Sequence, residues 1–286
     1  MIDLLEHAFF RHAVLACIFG GGALPLVGVF VTLMEIPFLG ISMSHSAFLG
    51  AVAGLLFGFD PLFGALAVCA LTGVIVGPLS DRSGSSFNSI LAVLFSAVMG
   101  LALLLLAQIS GPKSEALNLI WGSILTISQR EIIILGGIFA GMILLLSVFF
   151  KEISAVLFNR EIAAASGIPE KPFHYGFIII AGLLISASLD IVGGILIFSL
   201  LVTPPGAAYQ LTYRLKTMFF LSALFGIVSC FTGLYISYRF DMPTGAVIVL
   251  CSSVIYVLAF VLSPKRQSRI SVKYNRQNGR KNNETK

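Results

Sequence analysis

The chain has 286 residues, of which 57% are apolar and only 11% charged, and its mean hydropathy is +0.99. An ordinary soluble domain is about 25% charged, so these values exclude a soluble globular enzyme and a disordered protein; they predict an all-α, polytopic membrane protein with about eight to nine transmembrane helices. The formal charge of +5 is unevenly spread: residues 264–286 hold eight of the 18 basic residues and a single acid, Glu284, which leaves 10 basic and 12 acidic residues elsewhere. Residues 1–263 therefore read as a transmembrane domain and 264–286 as a basic, disordered cytoplasmic tail. With Tyr274 as its one aromatic, the tail offers no platform for nucleic acid.

The opening stretch, MIDLLEHAFFRH, carries Asp3 and Glu6, and the apolar run behind it is too long for the core of a secretory leader. Apolar runs then follow near 13–34, 39–59, 61–79, 87–109, 131–150, 173–189, 191–209, 217–238 and 243–262. Each has roughly the 20 residues that a helix needs to cross the hydrocarbon, and lipid leaves a helix as the only way to satisfy the backbone. The breaks between them carry turn residues or charge, as in Phe59-Asp60-Pro61, Gly111-Pro112-Lys113 and Asp241-Met242-Pro243. A cytoplasmic C-terminus puts the segments around Arg82, 151–172 and Arg214 inside, and 110–130 outside. Nine spans place the N-terminus outside; if 13–34 or 39–59 is broken or re-entrant, eight remain and it lies inside, and Gly20-Gly21-Gly22 and Pro25 favour a break in the first. Glycines such as Gly50, Gly54, Gly226 and Gly233 suit close helix packing, and Cys17, Cys69, Cys230 and Cys251 read as inert buried thiols.

Three segments carry chemistry. In Leu39–Gly50, His45 lies within an apolar span and is flanked by Ser42, Ser44 and Ser46. An ionisable residue at membrane depth marks a functional site, and neutral imidazole is the commonest metal ligand. One imidazole per chain makes a poor site; a symmetric dimer supplies two. In Phe158–Pro169, Asn159 is placed to cap a helix, Glu161 falls in its first turn, and Gly167 and Pro169 end it. The expected product is a two-turn helix outside the bilayer, either a plain connector or a knob that docks on a cytoplasmic partner, with Ala163, Ala164 and Ala165 allowing close seating. In Asp190–Tyr209, Asp190 falls between two apolar runs, in an outer turn or facing inward, and Pro204-Pro205-Gly206 is expected to break its helix.

Together these segments resemble the permease subunit of metal-type ABC importers, the family that moves zinc, manganese or iron(II). The resemblance rests on Gly40, Ser44, His45 and Gly50 in a Gly-x-x-x-Ser-His-x-x-x-x-Gly span, on the loop helix from Arg160 to Ile168, on the run from Val192 to Ala208, and on Pro243-x-Gly-Ala-x-Ile-Val249 opening the last span. It covers roughly residues 10–262. It implies a multi-pass protein of the bacterial plasma membrane, working as two copies with a separate ATPase and an extracytoplasmic metal-binding protein. It implies no permanently bound cofactor, since the metal ion is the cargo. On this resemblance His45, Ser44 and Asp190 line the metal pathway, and Arg160, Glu161, Ala164 and Gly167 form the coupling helix. One position departs from the family: the residue after Gly40, usually acidic, is Ile41. A carboxylate four residues before a histidine shares its helical face, so its loss alters the site.

The chain has no Gly-x-x-x-x-Gly-Lys-Ser/Thr phosphate loop, so nucleotide chemistry must reside in a partner. It has no His-Glu-x-x-His for an intramembrane metalloprotease, and Gly40-Ile41-Ser42 comes without groups to orient His45 as a base. An ion-coupled secondary transporter, which calls for several charged groups at mid-span and an inverted repeat, and an ABC permease for a metal chelate are the competing functions.

Overall fold

The computed structural model describes residues 8–109 and 127–265. These form eleven helices: α1 (Ala8–Leu33), α2 (Phe38–Phe57), α3 (Pro61–Ser83), α4 (Phe87–Gln108), α5 (Gln129–Val148), α6 (Phe150–Phe158), α7 (Arg160–Ala165), α8 (Glu170–Val192), α9 (Gly194–Leu211), α10 (Leu215–Phe240) and α11 (Thr244–Val261). All but α6 and α7 are long and apolar enough to cross a membrane, which makes nine candidate spans among the described residues. Each expected apolar run became one of them.

The helix boundaries follow local chemistry. Asp60 Oδ1 accepts from the Leu62 amide at 2.9 Å to cap α3, with Pro61 in the first turn, where no amide is needed. Ser128 and Glu131 form a reciprocal capping box at α5. The first two runs are each one continuous helix, the first despite three glycines and Pro25, and both remain candidate spans among the described residues. The expected break at Pro204-Pro205-Gly206 is likewise absent: α9 runs uninterrupted through both prolines. Pro205 deprives the Leu201 carbonyl of its amide partner, and α1 presses Gly28 against that carbonyl so closely that any side chain there would overlap it. Tertiary packing thus keeps continuous what isolated propensity would interrupt.

The most buried spans are α1 and α2, while α4, α5 and α11 expose much of their apolar surface. Helix α1 packs on α10, α9 and α5, and α2 packs on α3 and α4. Two backbone crossings set these distances. Gly50 of α2 meets Gly64 of α3, and Gly21 of α1 meets Gly226 of α10; in both pairs a methyl group on one glycine would collide with the carbonyl of the other. Across the first of these interfaces the Thr72 and Ser46 hydroxyls lie 3.1 Å apart, and the Cys69 thiol donates to the Met43 carbonyl at 3.3 Å. Cys17 and Cys230 are buried free thiols, as is Cys69, whereas Cys251 is half-buried. Residues 266–286 of the tail lie outside the described residues, as do 110–126 of the 110–130 connection. At the start of the tail, Lys265 Nζ sits 3.6 Å from the Tyr209 ring centre and 4.7 Å from that of Tyr213.

Candidate metal-transport site and coupling segment

His45 sits two turns into α2. Its Nδ1 lies 2.8 Å from the Ile41 carbonyl. A carbonyl can only accept, so Nδ1 carries the proton and Nε2 keeps a lone pair. Phe95 of α4 holds the ring from the side, edge to face, with centroids 4.8 Å apart. The imidazole is therefore fixed in tautomer and orientation by its own helix and by a neighbour, as a metal-ligating histidine needs.

His45 lines a cavity of about 140 Å³ together with Ile41, Ser44, Phe48, Leu189, Gly194, Ile195 and Phe198. Ser44 is buried and spends its proton on the Gly40 carbonyl at 2.8 Å. Ile41 shares the His45 face and lines this cavity with it. Asp190 is not in a loop. It occupies the last turn of α8, between Leu189, which lines the cavity, and Gly193, whose φ of 82° turns the chain directly into α9. Its side chain lies outside what the structure describes. The Phe95 clamp and the apolar lid of Phe48 and Phe198 had no signature in the sequence; an aromatic in an apolar span reads as ordinary packing.

The expected cytoplasmic helix is α7. Asn159 Oδ1 accepts from the amides of Glu161 (2.9 Å) and Ile162 (3.1 Å). Gly167, at φ 82°, closes the other end, with the Ile168 amide donating to the Ala163 carbonyl and its own amide donating to that of Ala164. The two charges, grouped together in the sequence reading, have different surroundings. Arg160 is tied back to the bundle: its Nη2 and Nε reach the same Glu170 carboxylate oxygen at 2.8 and 2.9 Å, and while the Arg160 side chain is 37% exposed that of Glu170 is only 15% exposed. Glu161 points into solvent beside Ile162 and Ala164. Ile162 is 55% exposed and Phe158 is 83% exposed, so apolar groups stand out from this end of the molecule. The preceding helix α6 was not foreseen; its Ile153 and Val156 are buried at a spacing of three, too short a pattern to separate from the end of the adjoining span.

The sequence profile of the ABC 3 transport family matches residues 6–263. This chain belongs to that family. A manganese transport system membrane protein, MntC, of Halalkalibacterium halodurans is 30% identical over 92% of this chain and 90% of its own length. The manganese import system permease protein ScaB of Streptococcus gordonii is 27% identical over 92% and 95%. Among solved structures, PsaBC from Streptococcus pneumoniae in complex with a Fab superposes with a TM-score of 0.83 at 28% identity, covering 93% of this chain and 96% of that one. The ABC 3 family assignment, with nine apolar helices, makes this a multi-pass membrane permease subunit.

Proposed function

We propose that this chain forms the membrane pathway of an ATP-binding-cassette importer for a divalent transition metal, with manganese(II) the first candidate among manganese, zinc and iron. The observation that carries the reading is His45: a mid-span imidazole, locked with Nδ1 protonated and Nε2 basic, on the wall of a small cavity. The relatives named for manganese transport support the choice of ion. In the single chain this cavity has a volume of about 140 Å³, room for an ion with its immediate ligands. Two copies bring two His45 rings to one axis, and Asp190 from each chain completes the four ligands if it turns inward.

In this reading an extracytoplasmic binding protein delivers the ion, and a partner ATPase supplies the energy. The basic tail puts the C-terminus in the cytoplasm and, through nine spans, the N-terminus outside. That topology places α6 and α7 on the ATPase side. Closure of the ATPase pushes on Phe158, Ile162 and Ala164; the Arg160–Glu170 pair passes the push to α8, whose far end carries Asp190 beside the His45 cavity.

The test is uptake of labelled manganese, zinc and iron by proteoliposomes holding this chain and its ATPase, with the binding protein outside. Expected is ATP-dependent uptake that is lost in His45→Ala at equal protein level. Uptake that needs a proton or sodium gradient and no ATP would establish the secondary-transporter reading instead. Full uptake by His45→Ala overturns the ligand role.

A further inference from the structure

A second cavity lies about two helical turns from the histidine, along the same helix faces. It is an open cleft of about 610 Å³. Pro37 lines it where Ile41 lines the His45 cavity, and Val202 lines it where Phe198 does. Each step is four residues, about 6 Å along a helix. On α4, Asn88 lines the cleft and Phe95, seven residues on, clamps the imidazole. Periodicity of 3.6 keeps both residues of each pair on one face. The cleft therefore lies on the His45 side of these helices, displaced toward the end of the bundle at which α1 stops and α2 starts.

The two cavities differ in chemistry. Where the His45 wall is nearly all hydrocarbon around one nitrogen, the cleft keeps a mostly apolar surface but adds oxygen-bearing side chains: Thr32, Glu35, Thr203, Ser253 and Tyr256. Glu35 is exposed and forms no ion pair with any described residue. It stands just past the C-terminus of α1, where the helix dipole favours a positive charge. Its backbone has a φ of 56°, a left-handed conformation that a glutamate adopts only when neighbours hold it. Asn88 Nδ2 supplies part of that hold, donating to the Glu35 carbonyl at 2.8 Å. The other end of the same amide, Asn88 Oδ1, is buried and accepts no hydrogen bond, leaving a carbonyl dipole uncompensated by protein. An acceptor-only carboxylate, hydroxyl oxygens and a negative helix end match a hard divalent cation that keeps several waters.

We propose that this cleft is a second, oxygen-ligand cation station on the cytoplasmic side of His45, with Glu35 as its anionic ligand and Asn88 as the residue that positions it. The assignment rests on the transport reading for its direction, from nitrogen to oxygen ligands, and on the cleft alone for its binding. A single carboxylate and water make a weak site, which lets an ion leave.

Equilibrium binding of manganese(II) to the purified full chain in lipid nanodiscs tests it, read by loss of the free-ion paramagnetic resonance signal. His45→Ala serves as the background and is compared with His45→Ala combined with Glu35→Gln. Glutamine preserves size and backbone, and a matching elution profile checks the fold. The expected result is manganese binding in His45→Ala that weakens at least tenfold when Glu35→Gln is added. Asn88→Ala on the same background should weaken it by a smaller factor. Equal binding with and without Glu35→Gln, or no binding in His45→Ala at all, overturns the station and leaves the His45 reading untouched. Glu35-dependent binding in a chain whose uptake proves insensitive to His45→Ala retains the station and removes the histidine from the pathway.

Discussion

The His45 cavity and the α7 knob are built from similar materials, apolar and small side chains around one or two polar groups, yet they rely on opposite arrangements. In the cavity the polar group is isolated: His45 finds only a carbonyl of its own helix and the edge of Phe95. At the knob the arrangement is reversed, with Arg160 tied to Glu170 while apolar Ile162 and Phe158 stand in solvent. A polar group left short of partners inside, and apolar groups left uncovered outside, both point to something the single chain does not contain. In the proposed reading the first is completed by an ion and the second by the ATPase.

The largest effect expected from breaking this contrast is at the cavity. His45→Ala should lower metal uptake by tenfold or more at equal membrane level, because metal affinity falls by factors of about 10–100 even when only a ligand's support is lost. Labelled-metal uptake measures it, and His45→Ala activity above a third of wild type would place the ligand elsewhere.

Next comes the knob. Ile162→Asp should reduce uptake several-fold and weaken co-purification of the ATPase, with thermal stability nearly unchanged, since exposed substitutions usually stay within about 0.5 kcal/mol. A variant that copurifies normally and transports at full rate would show that Ile162 faces only water.

Smaller, and more selective, is the effect of Ile41→Asp. Since Ile41 lines the cavity on the His45 face, an acid there adds an oxygen ligand beside the imidazole and should shift preference toward manganese over zinc by a few-fold. Competition uptake with the two ions reads the ratio, and an unchanged ratio would mean that the ion passes His45 without touching the neighbouring turn.

The smallest expected change is in stability. Arg160→Ala leaves the mostly buried Glu170 carboxylate without its partner and should cost about 1 kcal/mol, the range between exposed ion pairs and buried unpaired acceptors. Glu161→Ala, in solvent, should cost less than half as much. Thermal melts of the two variants in the same detergent compare them; equal loss would show that the Arg160 pair does not anchor α7.

What could be read along the chain and what could not divides on distance. Nine spans were legible because length and hydropathy alone decide whether a segment can sit in lipid. The α7 helix was legible because its caps, Asn159 and Gly167, act within a few residues. His45 stood out as an ionisable side chain in an apolar run. The remainder depended on residues far apart in sequence. Gly28 supports α9 across from the Leu201 carbonyl, so two prolines that should break a helix do not. Phe95 matters because α4 lies against α2, and Glu170 matters because it meets Arg160 ten residues earlier. Asn88 holds the Glu35 backbone from 53 positions away, and no local pattern marks that pairing. Hydrophobic and capping signals are summed along a segment and survive in the sequence; the direction in which a side chain faces, and what waits there, is set by packing between segments and exists only in the folded bundle.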